Sequence, residues 1–138
     1  VLTAGHRILE NCDDEKLHKL RIQCKKLRYL IQFFSNLFSQ KKIKIVVGQL
    51  KKLQDILGDY NDLSVQVNYL FEVAKEMPTN QSRLNKTLIA IGSLIGELET
   101  QRQSVKESFA ETFIGFSSQH NQKLFQDLFA LQSNKVVK

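Results

Sequence analysis

The segment LHKLRIQCKKLRY, residues 17–29, holds the residue types best suited to chemistry in this 138-residue chain. His18, Arg21, Lys25 and Arg28 are spaced three, four and three apart, so on a helix they form one line. Each follows an apolar residue (Leu17, Leu20, Cys24, Leu27) by one position, which places the line along the edge of a buried seam. From Lys16 to Gln54 the chain carries 11 basic residues and no acidic one, so carboxylates do not neutralise the line as they would in a ladder of helical ion pairs. Donors held in a row repel one another, and a ligand with regularly repeating negative charge would relieve that cost. Phosphates suit such a row, because Arg forks onto phosphate oxygens while Lys adds point charge. Ten residues of helix cover about 15 Å. One phosphate is far shorter than that, and a chain of phosphates matches it. The plain alternative is a solvated basic face, the usual fate of charge runs.

A second segment, LKKLQDILGDYNDL, spans residues 50–63. Lys51 lies one turn before Gln54 and Asp55, with Gly58 one turn later on the same side. Gly inside a helix costs about 1 kcal/mol relative to Ala, so its presence points to a close approach or a bend. Asn61 and Asp62 are positioned to cap a restarted helix or to accept hydrogen bonds from Arg21 or Arg28. For Asp55, Gly58, Asn61 and Asp62 the structural role is the expected one. Arg102 occupies a stripe position otherwise filled by Leu, Ile, Val and Phe, so pairing or snorkelling is expected ahead of ligand contact.

Catalysis finds little support. The sequence offers no placeable Ser/His/Asp constellation, no Gly-rich phosphate loop, and no paired carboxylates beside a nucleophile. His18 has no second metal ligand at i+3 or i+4, and Cys12 and Cys24 lack CxxC spacing, so neither a metal site nor a cofactor is expected. The expectation is a binding surface rather than an enzyme.

The elements that must carry these residues are helices. One Pro and 6 Gly are too few turn residues for a many-stranded fold. Leu17, Leu20, Cys24, Leu27, Ile31, Phe34 and Phe38 mark one face of a helix over about 14–39, capped by Asp13 or Asp14. A stripe from Ile43 to Ala74 predicts a long helix over 42–76, bent near Gly58, and stopped by Met77-Pro78-Thr79-Asn80. A third runs from Leu84 to Phe116 and predicts a helix over 82–117; Leu124, Leu128 and Leu131 mark a shorter one over 120–132. Residues 1–12 are expected to form a short leading helix around Ile8 and Leu9. The predicted fold is a single all-α domain over 1–138: an antiparallel up-and-down bundle of three long helices and one short C-terminal helix.

The net charge of +6 is concentrated in the first part of the chain. Residues 1–60 hold 12 Lys/Arg against 6 Asp/Glu, an excess of 12 − 6 = 6, and residues 61–138 balance at 8 and 8. Such asymmetry points to an anionic partner. No apolar run reaches the roughly 18 residues of a membrane span, no signal-peptide pattern opens the chain, and the cysteine usage suits a reducing compartment. A first residue of Val reads as a fragment, a processed chain or a trimmed one.

The two segments together resemble the CHAD family, the conserved histidine α-helical domain. LHKLRIQCKKLRYLIQFF matches the family's H-x-x-R-x-x-x-K-x-x-R-Y line, and LKKLQDILGDYNDL matches its L-Q-D-x-L-G-x-x-N-D element at the usual interval. Family domains are about twice this long and contain two related helical bundles around a basic channel. Tyr29 and the Asn61-Asp62 pair make this chain similar to the second, C-terminal repeat. The resemblance implies binding of inorganic polyphosphate, with His18, Arg21, Lys25, Arg28 and Lys51 as contacting residues. Tyr29, Gln54, Gly58, Asn61 and Asp62 match positions expected to be structural or to support the contacts. A homodimer or a missing first repeat would complete the channel, and a cytoplasmic location with association to polyphosphate granules is expected.

Two other functions stay open. A nucleic-acid-binding helical module would use the same basic face, although the Phe residues fall on buried stripes rather than among exposed Lys and Arg. An accessory domain of a triphosphatase or other phosphohydrolase would hand substrate to a catalytic partner.

Overall fold

The computed structural model describes residues 1–79 and 83–133, the last three of these by backbone alone. Asn80 and the first residue of the helix predicted over 82–117 lie outside the described residues, as does the side chain of Leu131. All regular structure among the described residues is helical: α1 (Leu2–Glu10), α2 (Asp14–Phe33), a 3-10 turn (Ser35–Leu37), α3 (Gln40–Glu76), α4 (Leu84–Phe116) and α5 (Gln119–Ser133).

α2 starts where the sequence places a cap. Asp13 has extended backbone and accepts a hydrogen bond from the Glu15 N–H at 3.1 Å, with Asp14 and Glu15 in the first turn, where carboxylates suit the helix dipole. It ends at Phe33, short of the predicted 39, and residues 35–37 tighten into the 3-10 turn. Ser35 and Asn36 explain the correction, because their side chains compete for local backbone bonds and disfavour a helix interior. Phe34 consequently leaves the seam and is 45% exposed, while Phe33 is 80% exposed.

α3 is the central element. It packs against α2 on one side and α4 on the other, antiparallel to both, and α1 and α5 close the bundle near its first half. The helix continues without a break through Gly58, Asn61 and Asp62, so these residues cap no restarted helix. The core is the predicted stripes brought together: Leu17, Leu20, Cys24 and Ile31 of α2; Ile43, Val46, Leu50, Leu53, Leu57 and Tyr60 of α3; Phe109, Phe113 and Phe116 of α4; and Leu128 of α5. Ile8 adds α1 to this core, whereas Leu9 is exposed. Gly5 permits the approach of α1 to Phe113: a Cβ there would lie 2.1 Å from the ring.

Burial falls along the distal stripes for a geometric reason. α3 has 37 residues and α2 has 20, or about 55 Å against about 30 Å of helix. Past Tyr60 the bundle thins to the α3–α4 pair, where Leu63, Leu70, Ile91 and Ile95 are half-buried and Leu88 is exposed. At the other end, Asn121 is 4% exposed and exchanges amide hydrogen bonds with Gln49 of α3 at 2.7 and 2.8 Å, which fastens α5.

Candidate functional site

The antiparallel packing of α2 on α3 sets the two motif segments face to face. Arg21, Lys25, Arg28 and Tyr29 of α2 and Gln54, Asp55, Gly58, Asp59 and Asp62 of α3 line one open cavity of about 350 Å³. The apolar neighbours of the basic residues explain their placement. Leu20, Cys24, Leu50, Leu53 and Leu57 are buried in the seam, so the residues one position away stand at its rim.

Arg21 and Arg28 are half-buried and Lys25 is exposed. Tyr29, 51% exposed, packs its ring against both cations, 5.8 Å from Lys25 Nζ and 5.2 Å from Arg28 Cζ, within cation–π range. Arg28 Nε and Gln54 Oε1 are buried without a hydrogen-bond partner among the described residues. Buried polar atoms are normally satisfied, so a guanidinium with an unpaired donor at a cavity wall can still engage an anion. Above Gly58 the space is open, since a Cβ there would meet only Arg21 Nε at 3.9 Å. No tight helix crossing accounts for this glycine, and a side chain at 58 would project toward Arg21.

Other motif residues lie elsewhere. His18 and Lys51 are exposed and do not line the cavity, and half-buried Asn61 does not either. Lys19 pairs with Glu15 at 2.6 Å on the surface. Arg102 reaches across the bundle: its guanidinium pairs with Glu99 at 2.8 Å and Asp14 at 3.3 Å, donates to Ser64 at 3.3 Å, and sits 5.7 Å from the Tyr60 ring. It belongs to a clamp between α2, α3 and α4, away from the cavity.

Asp59 lines the cavity as well, a residue not expected there from the two motifs. Its signal was the spacing of Asp55, Asp59 and Asp62, four and three apart on α3, the mirror of the basic line on α2. The Phe residues require a correction too. Phe33, Phe34, Phe71 and Phe129 are exposed rather than on buried stripes, which removes part of the objection to nucleic-acid binding.

Nothing here makes a nucleophile of either thiol. Burial pushes Cys24 up to about 11, and burial outweighs the neighbouring Lys106 to raise Cys12 as well. Among the described residues no group of three or more His, Cys, Asp or Glu has metal-binding geometry. A larger groove of about 700 Å³, lined chiefly by Leu2, Leu27, Leu30, Phe116 and Phe125 with Lys26 at its edge, is too apolar for a phosphate. Among the described residues no helix is long and apolar enough to cross a membrane.

The fold and the groove thus define an all-helical domain with a charged cleft between two antiparallel helices, built from the two motif segments. The family model for the CHAD domain matches residues 1–70, which span α1, α2 and most of α3, and the chain belongs to that family. No curated protein matches the chain.

Proposed function

We propose that this domain binds inorganic polyphosphate without catalysing its turnover, along the α2–α3 groove. Membership of the CHAD family agrees with a polyphosphate-related role. One observation carries the assignment to this groove. Arg21, Lys25 and Arg28 share one cavity, yet among the described residues none of them forms an ion pair, and Arg28 keeps a buried donor unpaired. Successive phosphates would meet the cations in turn, with Lys51 and His18 as further contacts beyond the two ends of the cavity.

Calorimetric titration with medium-chain polyphosphate at three salt concentrations tests this function. Affinity should fall steeply with salt as counterions are released. Binding that is absent, or indifferent to salt, would contradict it.

Tyr29 favours a second function. A half-exposed ring beside Lys25 and Arg28 is the kind of platform on which a base of single-stranded nucleic acid stacks. Competition at fixed salt separates the two: polyphosphate should displace single-stranded RNA, and RNA should not displace polyphosphate at equal phosphate concentration.

A further inference from the structure

The cavity that gathers three cations also gathers three carboxylates. Asp55, Asp59 and Asp62 lie on one face of α3, all exposed, opposite Arg21, Lys25 and Arg28 of α2. Side chains of opposite charge facing one another across a groove would ordinarily close into ion pairs. Among the described residues no N···O distance between the two rows is within 4 Å. The two walls stand apart with a formal sum of 3 − 3 = 0.

That sum matters for any anion small enough to fit inside. Coulomb energy falls only as the inverse of distance, so a phosphate held by the basic wall also feels the acidic wall a few ångströms further off. A short anion confined to the cavity therefore gains little net attraction. Positive potential lies outside, toward the end of the pair formed by the finish of α2 and the start of α3. Lys41, Lys42, Lys44, Lys51 and Lys52 all precede Asp55 on that helix. At the opposite end Asp14 is held by Tyr60 and paired with Arg102, so among the described residues no comparable run of unpaired lysines continues the groove there.

We propose that Asp55, Asp59 and Asp62 are specificity determinants that exclude short phosphates, so that only a chain long enough to extend from the cavity toward Lys51 and Lys52 binds. The inference rests on the polyphosphate function proposed above. The carboxylates act as a repulsive wall: they subtract a fixed amount from the affinity of every occupant, and only a long chain recovers it outside.

The test is the shortest chain that binds. Wild type and the Asp55→Asn/Asp59→Asn/Asp62→Asn variant would be titrated with pyrophosphate, tripolyphosphate and medium-chain polyphosphate, in one buffer, with and without Mg²⁺. A neutralised carboxylate removes repulsion worth a factor of about two to three per ligand charge at about 7 Å in water, so three should tighten binding about tenfold after screening. The expected result is that wild type binds only the medium chain, while the variant also binds tripolyphosphate. The single Asp59→Asn variant should show the same direction at about two- to threefold. Thermal melts of both variants report folding separately. If the variants bind the medium chain unchanged or more weakly, the wall is wrong and the polyphosphate function stands. If Mg²⁺ tightens wild type but not the triple variant, the carboxylates seat a bridging cation and the wall is likewise overturned. If wild type binds no phosphate of any length, both inferences fall together.

Discussion

Tyr60 donates its hydroxyl hydrogen to Asp14 at 2.5 Å, joining the first residue of α2 to the middle of α3 across 46 positions of sequence. The other carboxylate oxygen of Asp14 accepts from Arg102 at 3.3 Å, so a single side chain ties three helices. The clamp adds a polar tie to the apolar seam that packs α2 on α3. In that packing the two motif segments face one another, with Arg21 over Gly58.

Replacing Tyr60 by Phe should cost about 1–2 kcal/mol, the value of a hydrogen bond to a charged but half-exposed acceptor. The variant also tests a pH dependence. Burial, reinforced by the hydrogen bond to Asp14, raises the Tyr60 pKa above its ordinary value near 10. A group raised on folding contributes stability fully present below the unfolded value and lost as pH climbs toward the folded one. Denaturant melts between pH 8 and pH 11 should show wild type losing its advantage over Tyr60→Phe above about pH 10. A constant difference across that range would contradict the assignment.

Arg102 is assigned to the clamp, and its removal should affect folding alone. Arg102→Ala leaves Asp14 and Glu99 without their cation and strips the cover from the Tyr60 ring, at a cost of about 1 kcal/mol because both carboxylates are half-exposed. Chemical denaturation should show that loss, while polyphosphate affinity at a temperature where the variant is folded should stay within about twofold. A large loss of affinity in the folded variant would place Arg102 in the binding site.

Gly58 separates stability from function in the opposite sense. Gly58→Ala should stabilise α3 by about 0.5–1 kcal/mol, because the added methyl meets nothing closer than Arg21 Nε at 3.9 Å. The same methyl enters the groove and should weaken polyphosphate binding several-fold. Gain of stability with unchanged affinity would mean that the ligand does not approach the backbone at this position.

The bundle was legible because three- and four-residue spacing reports directly which face of a helix is apolar. What that spacing does not report is how many helices cover the face. Leu88 and Ile95 continue their stripe unaltered, but α2 is too short to reach them. Nor does it report where a helix stops when apolar spacing runs on past Ser35 and Asn36. In the groove, Arg21, Lys25 and Arg28 could be read as one line from a single helix. Asp59 could not be placed against them, because the register of α2 on α3 is a tertiary relationship that spacing along one helix does not report.

The most direct test of the central claim is the effect of Arg28→Ala on polyphosphate affinity, measured by titration calorimetry beside wild type at one moderate salt concentration. Arg28 combines a half-buried guanidinium, a buried unpaired Nε and contact with Tyr29, so it should carry more of the binding than any exposed lysine. Loss of a charged hydrogen-bonding partner should cost about 1.5–3 kcal/mol, a weakening of roughly 10- to 150-fold, with the melting temperature little changed. Unaltered affinity in a folded Arg28→Ala protein would place the polyphosphate site outside the α2–α3 groove.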